Sequence, residues 1–186
     1  MTRLLRSSLL LVVLGVALTA YAADPPAKVV VGAEAPAFKV KDQTGKLIDL
    51  AELTAKGPVL LRLTCGCSGC DKELSYFQEI NNAYKNQGLT CLFIFKEPDD
   101  KMSKYAQDKK LNMLYAVDSK GESWNVFQTK TMPTNFLIEK GGKIAAIAAG
   151  CDASGLLANK VSEKAAKVVG ADSVNVKSKV EDKKDK

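Results

Sequence analysis

Apolar and polar positions follow three different rhythms along this chain. Phe38 and Val40 alternate with Lys39 and Lys41, as in a half-buried strand. After the turn residues Gln43-Thr44-Gly45, Leu47-Ile48 restarts a short strand, and Ala51 to Ala55 reads as a helical turn closed by Gly57-Pro58. Two runs, Val59 to Thr64 and Leu89 to Phe95, are apolar almost throughout. Such runs suit strands covered on both faces, as in a parallel sheet. Between them Leu74, Phe77, Ile80 and Tyr84 recur at helical spacing and predict a helix from Asp71 to about Asn86, ended by Gly88.

Further on, Met102 to Lys110 reads as a helix, Met113 to Val117 as a short strand and Gly121 to Phe127 as a short helix. Asn135 to Ile138 and Ile144 to Ala149 read as strands of a hairpin around Glu139-Lys140-Gly141-Gly142-Lys143. A last helix runs from Leu156 to about Val169. This order implies an α/β sandwich. Its sheet is parallel across the crossover helix and antiparallel across the hairpin, with helices on both faces. No internal repeat is present.

The ends of the chain depart from these rhythms. Arg3 and Arg6 precede the apolar stretch Leu9 to Leu18, and Ala20-Tyr21-Ala22 is a small-x-small cleavage site. The stretch is shorter than the ~20 residues a membrane span needs. Residues 1–22 therefore read as a signal peptide and 23–28 as a spacer containing Asp24-Pro25-Pro26. The expected mature protein is exported, most simply to a periplasm, and meets a membrane only if the leader stays uncleaved. Residues 171–186 carry five lysines and four acids with little apolar content, and read as a charged disordered tail. One domain over residues 29–170 remains.

Charge narrows the function further. The net charge is +6, two units of it on Arg3 and Arg6, and the lysines are scattered beside acids with few aromatics. No stripe tracks a phosphate backbone, so nucleic acid is not an expected partner. The chain has no histidine, which removes a histidine base, histidine metal ligands and haem attachment.

It has five cysteines, an odd set that in an exported protein leaves at least one free or reactive thiol, or an intermolecular bridge. Three of them fall in Cys65-Gly66-Cys67-Ser68-Gly69-Cys70, between an apolar strand and the start of a helix. A helix N-terminus favours a thiolate. Two chemistries stay open for this cluster: thiol–disulfide exchange, or a soft-metal site for copper or zinc. Cys91, inside an apolar run, reads as core.

Three landmarks then occur in order: Gly32-x-x-Ala35-Pro36-x-Phe38 with Asp42-x-x-Gly45-Lys46, Cys67-Ser68-Gly69-Cys70, and Met132-Pro133-Thr134-x-Phe136-Leu137-Ile138 with Gly141-Gly142. Over about residues 29–168 the chain resembles the thioredoxin-fold redoxins. The likeness is greatest to exported thiol–disulfide oxidoreductases of the TlpA/ResA kind, with kinship to the AhpC/TSA peroxiredoxins. The resemblance implies a three-layer sandwich with a central mixed sheet. It also implies an enzyme that exchanges disulfides with protein thiols and a redox partner, with no organic cofactor; no metal ligand is assigned.

In that reading Cys67 is the nucleophile and Cys70 the resolving thiol. Pro133 is a cis-proline beside them, and Met132 offers its backbone to substrate. Cys65 and Cys151 are possible accessory thiols, or, with the pair, four sulfurs of a tetrahedral site. The chain departs from the family pattern at Gly66, where an aromatic is usual, and at Ser68-Gly69, where proline is frequent. The strand position of the usual buried acid or amide falls on Leu61 or Arg62, neither of them an acid. Thr64-x-x-Cys67 matches the Thr-x-x-Cys of a thiol peroxidase, the alternative enzyme.

Overall fold

The computed structural model describes residues 27–184. The leader assigned to 1–22 lies outside the described residues. Among those described, no helix is long and apolar enough to cross a membrane.

Two small strands, β1 (Lys39–Lys41) and β2 (Leu47–Asp49), form an antiparallel hairpin, and α1 (Leu50–Lys56) follows directly. Asp49 caps α1 by accepting from the Ala51 N–H at 2.9 Å. The main sheet holds β3 (Val59–Thr64), β4 (Thr90–Phe95), β5 (Leu114–Val117), β6 (Thr134–Ile138) and β7 (Ile144–Ala149). Their spatial order is β5-β4-β3-β6-β7. β3 pairs parallel with β4, and β4 with β5; β6 pairs antiparallel with both β3 and β7. The long helix α2 (Ser68–Tyr84) is the crossover between β3 and β4, and α3 (Asp99–Asp108) that between β4 and β5. α4 (Glu122–Val126), α5 (Leu156–Val169) and α6 (Val176–Lys184) complete the described elements.

Strand alternation divides the core in two. Leu60, Cys91, Phe93, Phe95 and Leu137 face the layer holding α2, α3, α5 and α6. Leu61, Leu63, Leu92, Ile94, Phe136 and Ile138 face the other layer, where Phe38, Leu50, Trp124 and Phe127 close over them. The fold is thus the expected three-layer sandwich with a mixed central sheet.

The ends of two elements differ from the sequence reading. α2 begins at Ser68 rather than Asp71, so Cys70 lies in its first turn. The segment read as a disordered tail contains α6. Its physical reason is local: Val176 and Val180, one turn apart, are buried against α2 and α5. The segment before it is pinned as well. Tyr84 Oη accepts from the Val174 N–H at 2.9 Å, and Ser162 Oγ donates to the Val174 carbonyl at 2.8 Å. The domain therefore extends past the boundary expected at 170.

Candidate active site

Four chain segments meet at one end of the sheet because of the register. Thr64 lies beside Phe95, Leu63 beside Thr134, and Thr134 beside Ala149. The ends of β3, β4 and β7 therefore open at the same edge as the start of β6. Out of β3 comes Cys65-Gly66-Cys67, into β6 runs Met132-Pro133, and out of β7 comes Gly150-Cys151. The Met132–Pro133 peptide is cis, and the Gly150 N–H donates to the Pro133 carbonyl at 2.9 Å.

Cys67 is the N-cap residue of α2 and is exposed; Cys70, one turn on, is buried. Cys65 is half-buried and touches both sulfurs, its Sγ 2.7 Å from Cys67 Sγ and 3.3 Å from Cys70 Sγ. All five cysteines are free thiols. The Cys67 thiol is held below its ordinary value, first by the Cys65 S–H and next by the backbone N–H of Cys70. Burial opposes this, while the Cys70 thiol and the Gly69 N–H add to it. No side-chain hydrogen bond closes the helix start, so the first-turn N–H groups stay available to sulfur charge. Cys65 is pushed up to about 12, by burial first and then by donating to Cys67. The three adjacent thiols are therefore unequal: one exposed and acidic, one half-buried and held protonated, one buried.

Beneath them lies a charged network that the strand reading missed. Arg62 is fully buried on β3 and donates to Glu73 Oε2 at 2.7 Å and to Asn135 Oδ1 at 2.8 Å. Its guanidinium stacks 4.1 Å from the Phe77 ring centroid. Glu73, also fully buried, accepts on Oε1 from the Asp152 N–H at 2.8 Å. Sequence reasoning sought a buried acid on the strand; the acid is on α2, and the amide is Asn135 on β6. A signal was present. Glu73 lies on the same helical stripe as Cys70, Phe77 and Ile80, and Arg62 interrupts an apolar strand, so each needed a buried partner of opposite charge.

Cys151 is exposed, and its Sγ donates to the Gly69 carbonyl at 3.0 Å. Its thiol is raised, by burial first and then by the charge of Glu73. It stays outside the group of sulfurs close enough to share an ion. Among the described residues that group is Cys65, Cys67 and Cys70, all within 4.8 Å of one another. The four-sulfur tetrahedral arrangement is therefore not assembled. Cys91 is core, pushed up to about 12 by burial alone.

The two residues weighed for the peroxidase alternative, Thr64 and Arg62, both lie on β3. Thr64 is buried, and Arg62, the one arginine among the described residues, is bound to Glu73 and Asn135.

A cis-proline loop, a strand-to-helix Cys-x-x-Cys and this sheet order define a thioredoxin-fold redox protein. The AhpC/TSA family pattern matches residues 31–147, and the chain belongs to that family. It is 33% identical over 118 residues to the thiol-disulfide oxidoreductase ResA of Bacillus thuringiensis subsp. konkukian, covering 63% of this chain and 68% of that protein. With ResA of Geobacillus thermodenitrificans it shares 31% identity over 143 residues, covering 76% of this chain and 82% of that one. In fold it is similar to a thiol:disulfide interchange protein from a Bacteroides species, with a TM-score of 0.63, 24% identity and coverage of 77% and 92%. The peroxidoxin BcpB of Mycobacterium tuberculosis also matches at a TM-score of 0.63, with 22% identity and coverage of 77% and 98%.

Proposed function

We propose that the chain is an exported thiol–disulfide oxidoreductase acting on protein partners, with Cys67 as nucleophile and Cys70 as resolving thiol. One observation carries this reading: the exposed thiol is the acidified one, and a buried thiol stands one helical turn behind it. The Cys67 thiolate attacks one sulfur of a substrate disulfide. A Cys67–substrate bond forms, and the other substrate sulfur leaves as a thiolate. Cys70 then passes its proton to the substrate thiolate that left first, and attacks the Cys67 sulfur. The Cys67–Cys70 disulfide forms, the second substrate thiolate departs, and two electrons have passed to the substrate. A dithiol partner reverses these steps to reset the enzyme.

Met132 and Pro133 precede β6, the neighbour of β3, which supports a role for the Met132 backbone in bonding an extended substrate strand. Export rests on the leader pattern in residues 1–22. Stabilising the Cys67 thiolate favours the reduced enzyme and shifts its potential in the oxidising direction.

The test is insulin reduction driven by a dithiol. Cys67→Ser is expected to abolish turnover, and Cys70→Ser to accumulate a Cys67 mixed disulfide visible by mass spectrometry. Undiminished turnover by Cys67→Ser would sink the assignment.

A further inference from the structure

Thiol exchange through Cys67 and Cys70 makes no bond to Cys65, whose part there is limited to the S–H it donates to Cys67. We propose that the reduced Cys65–Cys67–Cys70 triad is a three-sulfur binding site for monovalent copper.

The donor set decides the metal. The three sulfurs lie within 4.8 Å of one another, with two contacts at 2.7 and 3.3 Å. At a metal–sulfur distance of roughly 2.3 Å, three sulfurs in a trigonal plane lie about 4 Å apart. Shifts of about an ångström in side chains at a strand-to-helix turn therefore suffice. The ligands are soft, which selects monovalent copper or zinc over hard ions.

Their number separates those two. Structural zinc is four-coordinate, and a fourth protein donor is absent from the cluster among the described residues. Cys151 is turned to the Gly69 carbonyl. Both Glu73 oxygens are taken, by Arg62 and by the Asp152 N–H. Tyr105 Oη donates to Asp71. Three thiolates around one monovalent ion leave net negative charge, which the N-terminus of α2 faces. The exposed Cys67 gives the ion a route in from solvent.

Binding displaces whatever thiol protons remain and moves no electron. It needs the same reduced sulfurs as the exchange reaction, so a Cys67–Cys70 disulfide and a bound copper exclude each other.

The experiment titrates reduced wild-type protein anaerobically with monovalent copper against a chromogenic chelator, with X-ray absorption on the loaded form. One copper per chain with three sulfur neighbours is expected. Cys65→Ser is expected to lose one sulfur neighbour and bind at least tenfold more weakly. Loss of the metal to the chelator, a two-sulfur site in the wild type, or equal affinity in Cys65→Ser overturns the proposal. Zinc competing on equal terms overturns the choice of ion. Insulin reduction by the metal-free wild type reports the exchange reading separately, so failure of one is told apart from failure of the other.

Discussion

Single side chains set the character of the site, and two can be tested directly. Cys65 is the first cause of the low Cys67 value, through an S–H donated at 2.7 Å. Cys65→Ala removes that donor, so the pH midpoint of Cys67 alkylation should rise, whereas Cys65→Ser keeps a hydroxyl and should recover part of the difference. An unmoved midpoint in Cys65→Ala would show that the helix N–H groups suffice alone. Glu73 is tested by stability. Glu73→Ala leaves the Arg62 guanidinium buried without a countercharge, and removing one partner of a buried pair costs about 3–5 kcal/mol. Glu73→Gln keeps one acceptor oxygen for Arg62 while its NH2 group meets the Asp152 N–H, so it should cost less than Glu73→Ala without being neutral. Denaturant unfolding measures both, and equal small losses would show that water reaches Arg62. Cys65 was visible in the sequence as an addition to the Cys-x-x-Cys, and its contact with both other sulfurs was not, because that depends on how the strand end turns into α2.

At the level of elements, the informative case is α6. Its sequence is charged, and the composition argument for disorder weighs all its residues together. The structure turns on two of them, Val176 and Val180, which place one apolar edge against α2 and α5. Burying a valine contributes about 1.5–3 kcal/mol relative to exposure. Ending the chain after Asn175 should therefore lower unfolding stability by roughly 3 kcal/mol while leaving the far end of α2, with its cysteines, able to exchange disulfides. The Lys183–Glu79 ion pair adds little to that figure, because Lys183 is largely exposed. A loss below about 1 kcal/mol would mean that α6 only rests on the surface. The central strands were legible for the opposite reason. β3 and β4 are apolar over nearly their whole length, so no choice of face or register changes the reading.

Over the whole molecule, pairing brings distant residues to one place. Arg62 reaches Asn135 across β3 and β6, and Glu73 holds the loop after β7. Element type and order follow from local periodicity, and hence the sandwich was readable. Which loops share an edge was implied by the resemblance. In the Arg62–Glu73–Asp152 linkage the two charges lie eleven residues apart and were each signalled by an apolar surrounding, whereas the tie to Asp152, 79 residues on from Glu73, has no local pattern to announce it. A practical consequence follows from Cys151. Cys67 and Cys151 are the two exposed thiols, and their acidities diverge, one lowered and the other raised. Near neutral pH a limiting electrophile therefore consumes Cys67 first. Once a reversible cap protects Cys67, Cys151 becomes the remaining surface attachment point. A fluorophore there sits against the Gly69 carbonyl, a native reporter position for movements of the redox helix that leaves the working sulfurs unoccupied.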